Sequence, residues 1–153
     1  DEEFSRLIKN DEFLEYAKVF KNYYGSLREN IITKLDKGKN IIFDIDWQGT
    51  KQIKNNKLNY KIIKIFILPP SKKELFKRLL KREKKDIKIA TERMKQFKDD
   101  VMHWKDYDFT VINDRVENCY KLISNYINSQ KKQKTKINFN RRFISNHINN
   151  LLN

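Results

Sequence analysis

Two carboxylates stand close together at the end of an apolar run. Asn40 to Asp46 reads NIIFDID, so Asp44 and Asp46 occupy alternate positions at its end. On a β-strand, side chains two residues apart point to the same side. Such a pair suits a hydrated Mg²⁺ ion or a ligand that donates hydrogen bonds. The alternative is that both carboxylates cap the helix that follows.

Three arginines surround a charged interruption in a helical region. Arg78, Arg82 and Arg93 belong to a set of only eight arginines, in a chain with 26 lysines. A guanidinium is planar, permanently charged and forked, and it is therefore suited to phosphate oxygens. The alternative is ordinary charge on the surface of a helix.

Three apolar runs predict the strands that must position these side chains. They are Asn40 to Asp46, Lys61 to Leu68 and Asp108 to Ile112. Buried parallel strands have this continuous apolar character, and ligands of open α/β sheets lie beyond the carboxyl ends of the strands. Asn113 and Asp114 follow the third run and are further candidates, with capping of the next helix as their alternative.

Helical segments separate the predicted strands. Capping boxes at Ser26 with Glu29 and at Ser71 with Glu74 predict two helix starts, and Gly38 predicts a helix end. Further helices are expected over Glu2 to Lys9, Gln48 to Asn55, a segment after the charged residues 83 to 88 that runs to about Trp104, and Asn113 to about Ser129. This alternation of strands and helices predicts an α/β fold with a parallel sheet.

Two further segments leave alternatives open. Phe13 to Phe20 (FLEYAKVF) mixes aromatic and β-branched residues and favours a strand, although Leu, Glu and Ala also fit a helix. Asn22 to Ser26 is expected to be a turn. Residues 130 to 153 are polar and basic with scattered apolar residues, and they fit a docking helix or a frayed tail. We favour a partly ordered helix.

The composition indicates one domain with a core of its own. The chain has 153 residues, of which 39% are hydrophobic. No run of eighteen apolar residues occurs, which excludes a membrane-spanning helix, and no secretory signal is visible. Cys119 is the single cysteine and cannot form an internal disulfide, so we expect a reducing compartment and a cytoplasmic protein.

The net charge of +14 raises the question of nucleic-acid binding. Lys, Ile and Asn make up 62 of the 153 residues and share A/T-rich codons, so a biased genome accounts for much of the excess. No acidic residue follows Glu117, and seven basic residues after it supply half of the net charge. Nucleic-acid binders usually pair such charge with a recognisable module, and we find none. We favour a solvated basic surface and expect no nucleic-acid partner; RNA binding by residues 130 to 153 is the alternative.

Four segments taken together resemble the guanylate kinase family. They are, in order, DEFLEYAKVFKNYYGS, IIFDIDWQG, IFILPPSKKELFKRLLKR and VIND. The similarity covers about residues 1 to 128, and the combination is highly specific. It implies an α/β fold with a parallel-sheet P-loop kinase core, a nucleotide-monophosphate-binding subdomain and a helical lid. It also implies transfer of the γ-phosphate of ATP to GMP, giving ADP and GDP, with Mg²⁺ as cofactor and with GMP and ATP as small-molecule partners.

The resemblance implies roles for nine residues. The family's guanine-contacting glutamate, phosphate-contacting tyrosine and base-reading hydroxyl match Glu15, Tyr24 and Ser26. The acidic residues near its GMP site match Asp44 and Asp46. Its adenine-side arginine and asparagine match Arg78 and Asn113, and its catalytic lid arginines match Arg82 and Arg93. No residue is implied as a protein ligand of a metal.

The chemistry of guanine agrees with these residue types. Guanine offers N1–H and N2–H₂ donors and an O6 acceptor, so one carboxylate and one hydroxyl can read it. Adenine lacks both donors at those positions and would leave the carboxylate unpaired, which is costly in a buried site.

The sequence departs from the family pattern in three respects. Lys21 stands where a glycine usually precedes the Asn-Tyr-Tyr segment, and Arg82-Glu83-Lys84 replaces the usual Arg-Gly-Thr of the lid. Neither change removes a matched ligand. No G-x-x-x-x-G-K-[ST] phosphate loop occurs in these residues, and in the family that loop lies upstream of the position of Asp1. We therefore expect an amino-truncated part of an enzyme, which is inactive by itself.

The resemblance also implies a division of the chain. Residues 1–31 are expected to be the carboxyl part of the GMP-binding subdomain, 32–80 and 95–129 the core, 81–94 the lid, and 130–153 a basic tail. A guanylate-kinase-like protein-interaction module without catalysis is the alternative to the enzyme. The retained site residues argue against it.

Overall fold

The computed structural model describes residues 2–19, 22–132 and 140–153. The chain divides into two compact units, Asp1–Ile62 and Ile63–Asn153. The first unit contains a two-stranded antiparallel sheet and the second a two-stranded parallel sheet, each accompanied by helices. The predicted α/β class is confirmed. None of the helices in the described ranges has the length and apolar character of a membrane span.

The first unit is built around a β-hairpin. Its elements are α1 (Glu2–Lys9), β1 (Phe13–Val19), β2 (Asn22–Leu27), α2 (Arg28–Asp36) and α3 (Trp47–Asn55). The Phe4 ring of α1 packs against Phe13 with 4.6 Å between ring centroids, and against Tyr23 with 5.2 Å. Helix α1 therefore covers one face of the hairpin with aromatic contacts.

The prediction of a turn over Asn22 to Ser26 is wrong. These residues belong to β2, which pairs with β1 from Val19–Asn22 to Phe13–Leu27. Tyr23 and Tyr24 are strong strand formers, and pairing along the whole of β1 outweighs the turn preference of the Asn and Gly in the segment.

The capping box at Ser26 is also wrong. The N-cap of α2 is Leu27, whose apolar side chain cannot form a capping hydrogen bond, and the Ser26 hydroxyl donates to Glu15 instead. The predicted helix end at Gly38 is confirmed. Gly38 has φ +73°, its N–H donates to the Leu35 carbonyl at 2.8 Å, and Lys39 N–H donates to the Lys34 carbonyl at 3.0 Å. This is the Schellman arrangement that favours glycine.

The predicted strand over Asn40 to Asp46 does not form in the structure. Ile42 is 93% exposed, although the apolar run predicts a buried position for it. A strand needs a neighbour to pair with its backbone groups, and no strand of the described part of the chain pairs with this segment. The helix predicted after it is confirmed as α3.

The second unit places helices around a short parallel pair of strands. Its elements are β3 (Ile65–Leu68), α4 (Lys72–Arg82), α5 (Ile87–Asp100), a 3₁₀ helix (Val101–Asp106), β4 (Phe109–Ile112), α6 (Val116–Lys131) and α7 (Arg141–Leu152). β3 pairs with β4 from Ile65–Phe109 to Leu68–Ile112. The predicted strands here are confirmed, except that β3 is shorter than the apolar run, and α6 begins later than Asn113.

Helix α7 confirms the docking-helix alternative for the described end of the chain. Its Ile144, Ile148 and Leu151 are buried in one cluster with residues of β3 and of the 3₁₀ helix. His147 Nε2 lies 2.9 Å from the Pro69 carbonyl oxygen, directly after β3. Phe139 is another of the apolar residues scattered over residues 130 to 153, and it lies outside the described residues.

A second cluster joins α6 to the strand β4. Phe109 and Val111 of β4 are buried with Cys119 and Tyr126 of α6, and the rings of Phe109 and Tyr126 are stacked at 4.4 Å. Burial raises the pKa of the Cys119 thiol above its ordinary value. The thiol therefore stays neutral near pH 7 and packs as a small apolar group.

The turn between α4 and α5 carries lysines in left-handed backbone. Ser71 caps the start of α4, as predicted, by accepting from Glu74 N–H at 3.1 Å. The helix ends in a second Schellman arrangement, in which Lys85 N–H donates to the Leu80 carbonyl at 2.7 Å. The left-handed residues are Lys84 (φ 50°) and Lys85 (φ 71°). Glu83, which replaces the family's usual glycine, has an ordinary φ of −90°.

Lys84→Gly is expected to raise the free energy of unfolding by about 0.5–1 kcal/mol. Left-handed backbone disfavours a residue with a Cβ by roughly 1–2 kcal/mol, and the greater freedom of glycine in the unfolded chain offsets part of the gain. Urea unfolding measures the change. Lys81→Gly, within α4, is the matched control and should lower stability by about 1 kcal/mol. Shifts of the same sign in both variants would contradict the assignment of strain to Lys84.

Candidate functional site

Three of the site residues inferred from the sequence share one face of the hairpin. Glu15 pairs with Ser26 across the two strands, and Ala17 pairs with Tyr24. Residues directly opposite each other in an antiparallel pair project to the same side, as do residues two apart along a strand. Glu15, Tyr24 and Ser26 are therefore brought together on one face of the hairpin. The ring of Phe4 contacts Tyr16 and Tyr23 of the other face, and it also contacts Phe13, because the strand register shifts between Phe13 and Glu15.

Glu15 is a buried carboxylate with a bonded hydroxyl. Its relative exposure is 4%, and the Ser26 Oγ–H donates to Oε1 at 2.6 Å. An ionised carboxylate can only accept, so the hydroxyl is the donor of this bond. Tyr24 is 56% exposed on the same face. The hairpin thus presents an acceptor, a small hydroxyl and an accessible phenol side by side.

Gly49 sets the space available to the Glu15 carboxylate. A Cβ at Gly49 would lie 2.6 Å from Glu15 Oε2 and 3.3 Å from the Ile45 Cβ. The first distance is shorter than any ordinary contact of a carbon with an oxygen, so the carboxylate occupies the room that a side chain would need. The start of α3 therefore packs directly against Glu15.

The two aspartates inferred from the sequence have different surroundings. Asp46 is the N-cap of α3, where Oδ1 accepts from Gly49 N–H at 2.9 Å and Oδ2 accepts from Gln48 Nε2 at 3.1 Å. The capping alternative therefore applies to Asp46. Asp44 is exposed. Asp46 is only partly buried, so the two carboxylates differ mainly in that Asp46 is bonded at the start of α3.

Sequence reasoning missed the amide side chains that connect α3 to β1. Gln52 Nε2 donates to the Tyr16 carbonyl at 2.7 Å, and Gln52 Oε1 accepts from Tyr16 N–H at 3.0 Å. Asn56 Nδ2 donates to the Leu14 carbonyl at 2.9 Å. Two amides four residues apart lie on one face of a helix, and this spacing was the available signal.

In the second unit, Arg78 and Asn113 are brought together at the carboxyl end of the parallel strands. Arg78 Nη1 donates to the Asn113 carbonyl at 3.0 Å, and its Nε donates to Glu74 Oε1 at 2.9 Å. Asn113 N–H donates to the Leu68 carbonyl at 2.8 Å. The buried Asn113 Oδ1 accepts no hydrogen bond from the described residues. Neither Asn113 nor Asp114 caps α6, whose N-cap is Arg115.

The two remaining arginines meet at the carboxylate of Glu83. Arg93 Nε lies 2.7 Å from Glu83 Oε1, and Arg82 Nε lies 3.8 Å from the same oxygen. The shorter contact is an ion pair and not an aligned hydrogen bond. The side chains of Arg93 and Glu83 are 22% and 16% exposed, whereas that of Arg82 is 71% exposed. Glu83 therefore holds one arginine closely and the other loosely.

Comparisons with known proteins identify the family of the chain. A family model described as guanylate kinase matches residues 1–130. The guanylate kinase of Blochmanniella floridana is 43% identical over 151 residues, covering 99% of this chain and 70% of the relative. That of Buchnera aphidicola subsp. Baizongia pistaciae is 46% identical over 125 residues, covering 79% of this chain and 59% of the relative. The chain thus spans 59% to 70% of the length of these two curated relatives.

A solved structure shares the fold. The crystal structure of guanylate kinase from Anaplasma phagocytophilum matches with a TM-score of 0.63 and 31% sequence identity, covering 90% of this chain and 63% of that one. The family model, the relatives and the fold together show that the chain belongs to the guanylate kinase family.

Proposed function

We propose that the protein containing this chain is a guanylate kinase, which transfers the γ-phosphate of Mg-ATP to GMP and yields ADP and GDP. Family membership supports the reaction class. The observation that carries the choice of GMP is the buried Glu15 carboxylate with the Ser26 hydroxyl beside it. A carboxylate is rarely buried without donors, and guanine supplies two of them on nitrogens bonded to the same carbon.

The Ser26 hydroxyl acts in this proposal as a replaceable donor. Without a nucleotide, its O–H satisfies Glu15 Oε1. When guanine binds, its N1–H and N2–H₂ donate to the carboxylate, and the hydroxyl rotates to donate to O6. Adenine offers no donor at the corresponding N1 position and would leave the buried carboxylate unpaired. Tyr24 is proposed to bind the phosphate of GMP, because its phenol is exposed on the same face.

Arg78 and Asn113 are proposed to bind ATP. The unpartnered Asn113 Oδ1 is a buried acceptor, and the exocyclic amine of adenine is a matching donor. Arg78 is oriented by Glu74 and by the Asn113 carbonyl, so its guanidinium plane is fixed beside this acceptor. Flat guanidinium groups also stack favourably on aromatic rings.

Arg82 and Arg93 are proposed to act on the transferring phosphoryl group. An oxygen of the GMP phosphate attacks the γ-phosphorus, the bond from that phosphorus to the β-bridging oxygen breaks, and ADP leaves with the bonding electrons. Charge shifts on the phosphoryl oxygens during this step, and a fixed guanidinium stabilises it without reorganisation of solvent. Arg82 is the last residue of α4 and Arg93 lies in α5, on either side of the α4–α5 turn. Closure of these helices over the bound substrates would also exclude water.

Mg²⁺ neutralises charge on the β- and γ-phosphates when it is bound with ATP. Within the described ranges, no group of three or more His, Cys, Asp or Glu side chains is placed to hold a metal ion. Asp44 is an exposed carboxylate and fits contact with the water shell that Mg²⁺ usually retains. We propose that substrate phosphates hold the ion mainly and that Asp44 contributes through water.

The test is phosphoryl transfer by the whole protein. ADP formation from Mg-ATP is expected with GMP and not with AMP, CMP or UMP at equal concentration. Activity with another monophosphate in preference to GMP would overturn the proposal. Binding of GMP without any turnover would instead support the protein-interaction module.

A further inference from the structure

We propose that Gln52 is a positioning residue for Glu15 and thereby sets the discrimination of guanine from adenine. The inference rests on the proposed function. Gln52 projects from α3 and pairs with both backbone polar groups of Tyr16, through Nε2 to the carbonyl at 2.7 Å and through Oε1 from the N–H at 3.0 Å. The amide thus takes the place that a neighbouring strand would occupy on this edge of β1.

The backbone on both sides of Glu15 is fixed by α3. Along a strand, backbone groups of successive residues face opposite edges, so those of Leu14 and Tyr16 face away from β2. Asn56 donates to the Leu14 carbonyl at 2.9 Å, and Gln52 engages Tyr16. The backbone groups of Glu15 face β2, where the residue pairs with Ser26. The residue is consequently held at one edge by the hairpin and at the other by two amides, one within α3 and one at its C-cap, Asn56.

The same helix also limits the Glu15 side chain. Gly49 lies in the first turn of α3, where a Cβ would meet Glu15 Oε2 at 2.6 Å. Gln52 follows Gly49 by three residues, so both lie on one face of α3. A change in the seating of α3 on β1 therefore moves the carboxylate relative to the hydroxyl of Ser26 and to the base it is proposed to read.

Positioning matters here because two hydrogen bonds must form at once. Guanine N1–H and N2–H₂ are fixed relative to each other, so a displaced carboxylate can satisfy one donor well and the other poorly. A displacement of this kind lowers rates by up to about 10²-fold in enzymes. AMP makes neither bond and gains no comparable penalty. Loss of the Gln52 hydrogen bonds should therefore lower the ratio of kcat/KM for GMP to that for AMP.

The experiment compares Gln52→Met with Lys51→Met in the whole protein. Methionine matches glutamine in length and removes both hydrogen bonds, while Lys51 is the exposed neighbour on the same helix. We expect Gln52→Met to lower kcat/KM for GMP by about 10-fold and to leave the value for AMP nearly unchanged. Lys51→Met should change neither kcat/KM for GMP nor kcat/KM for AMP. Gln52→Ala removes the same two hydrogen bonds with a smaller side chain, so it should give the same selective loss with GMP and serves if Gln52→Met folds poorly.

Two outcomes would overturn the inference. Equal losses with GMP and AMP, accompanied by a lower Tm, would mean that Gln52 only stabilises the fold. An unchanged ¹³C chemical shift of the Glu15 carboxyl carbon in Gln52→Met would mean that the carboxylate has not moved. The second measurement needs no activity, so it decides the positioning role even if the wild-type protein fails to phosphorylate GMP, which would overturn the proposed function alone.

Discussion

Arg93→Ala is expected to lower kcat of the whole protein by about 10²- to 10³-fold, the range found when one preorganised donor to transition-state charge is removed. The KM for GMP should change little, because the charge that Arg93 is proposed to meet develops chiefly as the phosphoryl group moves. Steady-state kinetics with GMP and Mg-ATP varied in turn separate the two parameters. Equal changes in kcat and KM would indicate ground-state binding instead.

The Arg93 variant needs a control for the ion pair that it breaks. Removing Arg93 leaves the mostly buried Glu83 carboxylate without its close cation, and that alone can destabilise the turn. The double variant Arg93→Ala with Glu83→Gln removes this liability. It should recover thermal stability but not kcat. Recovery of activity together with stability would contradict a catalytic role for Arg93. Lys95→Ala, on the exposed side of α5, is the matched surface control.

Glu15→Gln is expected to lower kcat/KM for GMP by about 10- to 150-fold. The change keeps shape and length but replaces an acceptor-only carboxylate with an amide that has a single acceptor atom. One bond to guanine is weakened and the other is lost or meets a donor, and hydrogen bonds to a charged group are worth about 1.5–3 kcal/mol. AMP meets no matching penalty. The ratio of kcat/KM for GMP to that for AMP should fall by a similar factor.

The comparison for Glu15 is a glutamate of the same unit that is exposed. Glu29→Gln, in the first turn of α2, removes the same charge from solvent and should leave the ratio unchanged. If Glu15 were only a structural strand residue, its replacement would alter stability and leave selectivity alone. An unchanged ratio in Glu15→Gln would remove Glu15 from the site and weaken the other roles transferred by position.

Local sequence rules succeeded where short-range interactions decide the structure. Ser71 caps α4 and Gly38 ends α2, because each acts on backbone groups within a few residues. They failed at Ser26, where the hydroxyl has two possible partners. The backbone of the next helix is near in sequence, but the buried Glu15 carboxylate has the greater need of a donor, and it is reached only once the hairpin forms.

The apolar run from Asn40 to Asp46 marks another limit. Its composition describes a strand buried on both faces, yet the exposure of Ile42 shows that composition alone does not form one. Strand formation depends on the partner across the ladder, which no pattern within the run encodes.

The sequence could predict which residues belong to the site better than it could predict how they are arranged in space. The resemblance implied Arg78 and Asn113 separately, and the structure joins them through a hydrogen bond. Gln52 was not predictable from its type, because an amide on a helix surface is ordinary. Its significance arises from the unpaired edge of β1, which only the folded hairpin creates.

The lysines at the α4–α5 turn show that the stability of this protein can be raised by mutation. Lys84 and Lys85 occupy left-handed backbone that glycine or asparagine would adopt with less strain. The chain contains 26 lysines and 3 glycines, and lysine codons are A/T-rich whereas glycine codons are G-rich. A bias towards A/T-rich codons would place lysine even at positions where it is locally unfavourable. Substitution of glycine at these two positions therefore offers a direct route to a more stable protein.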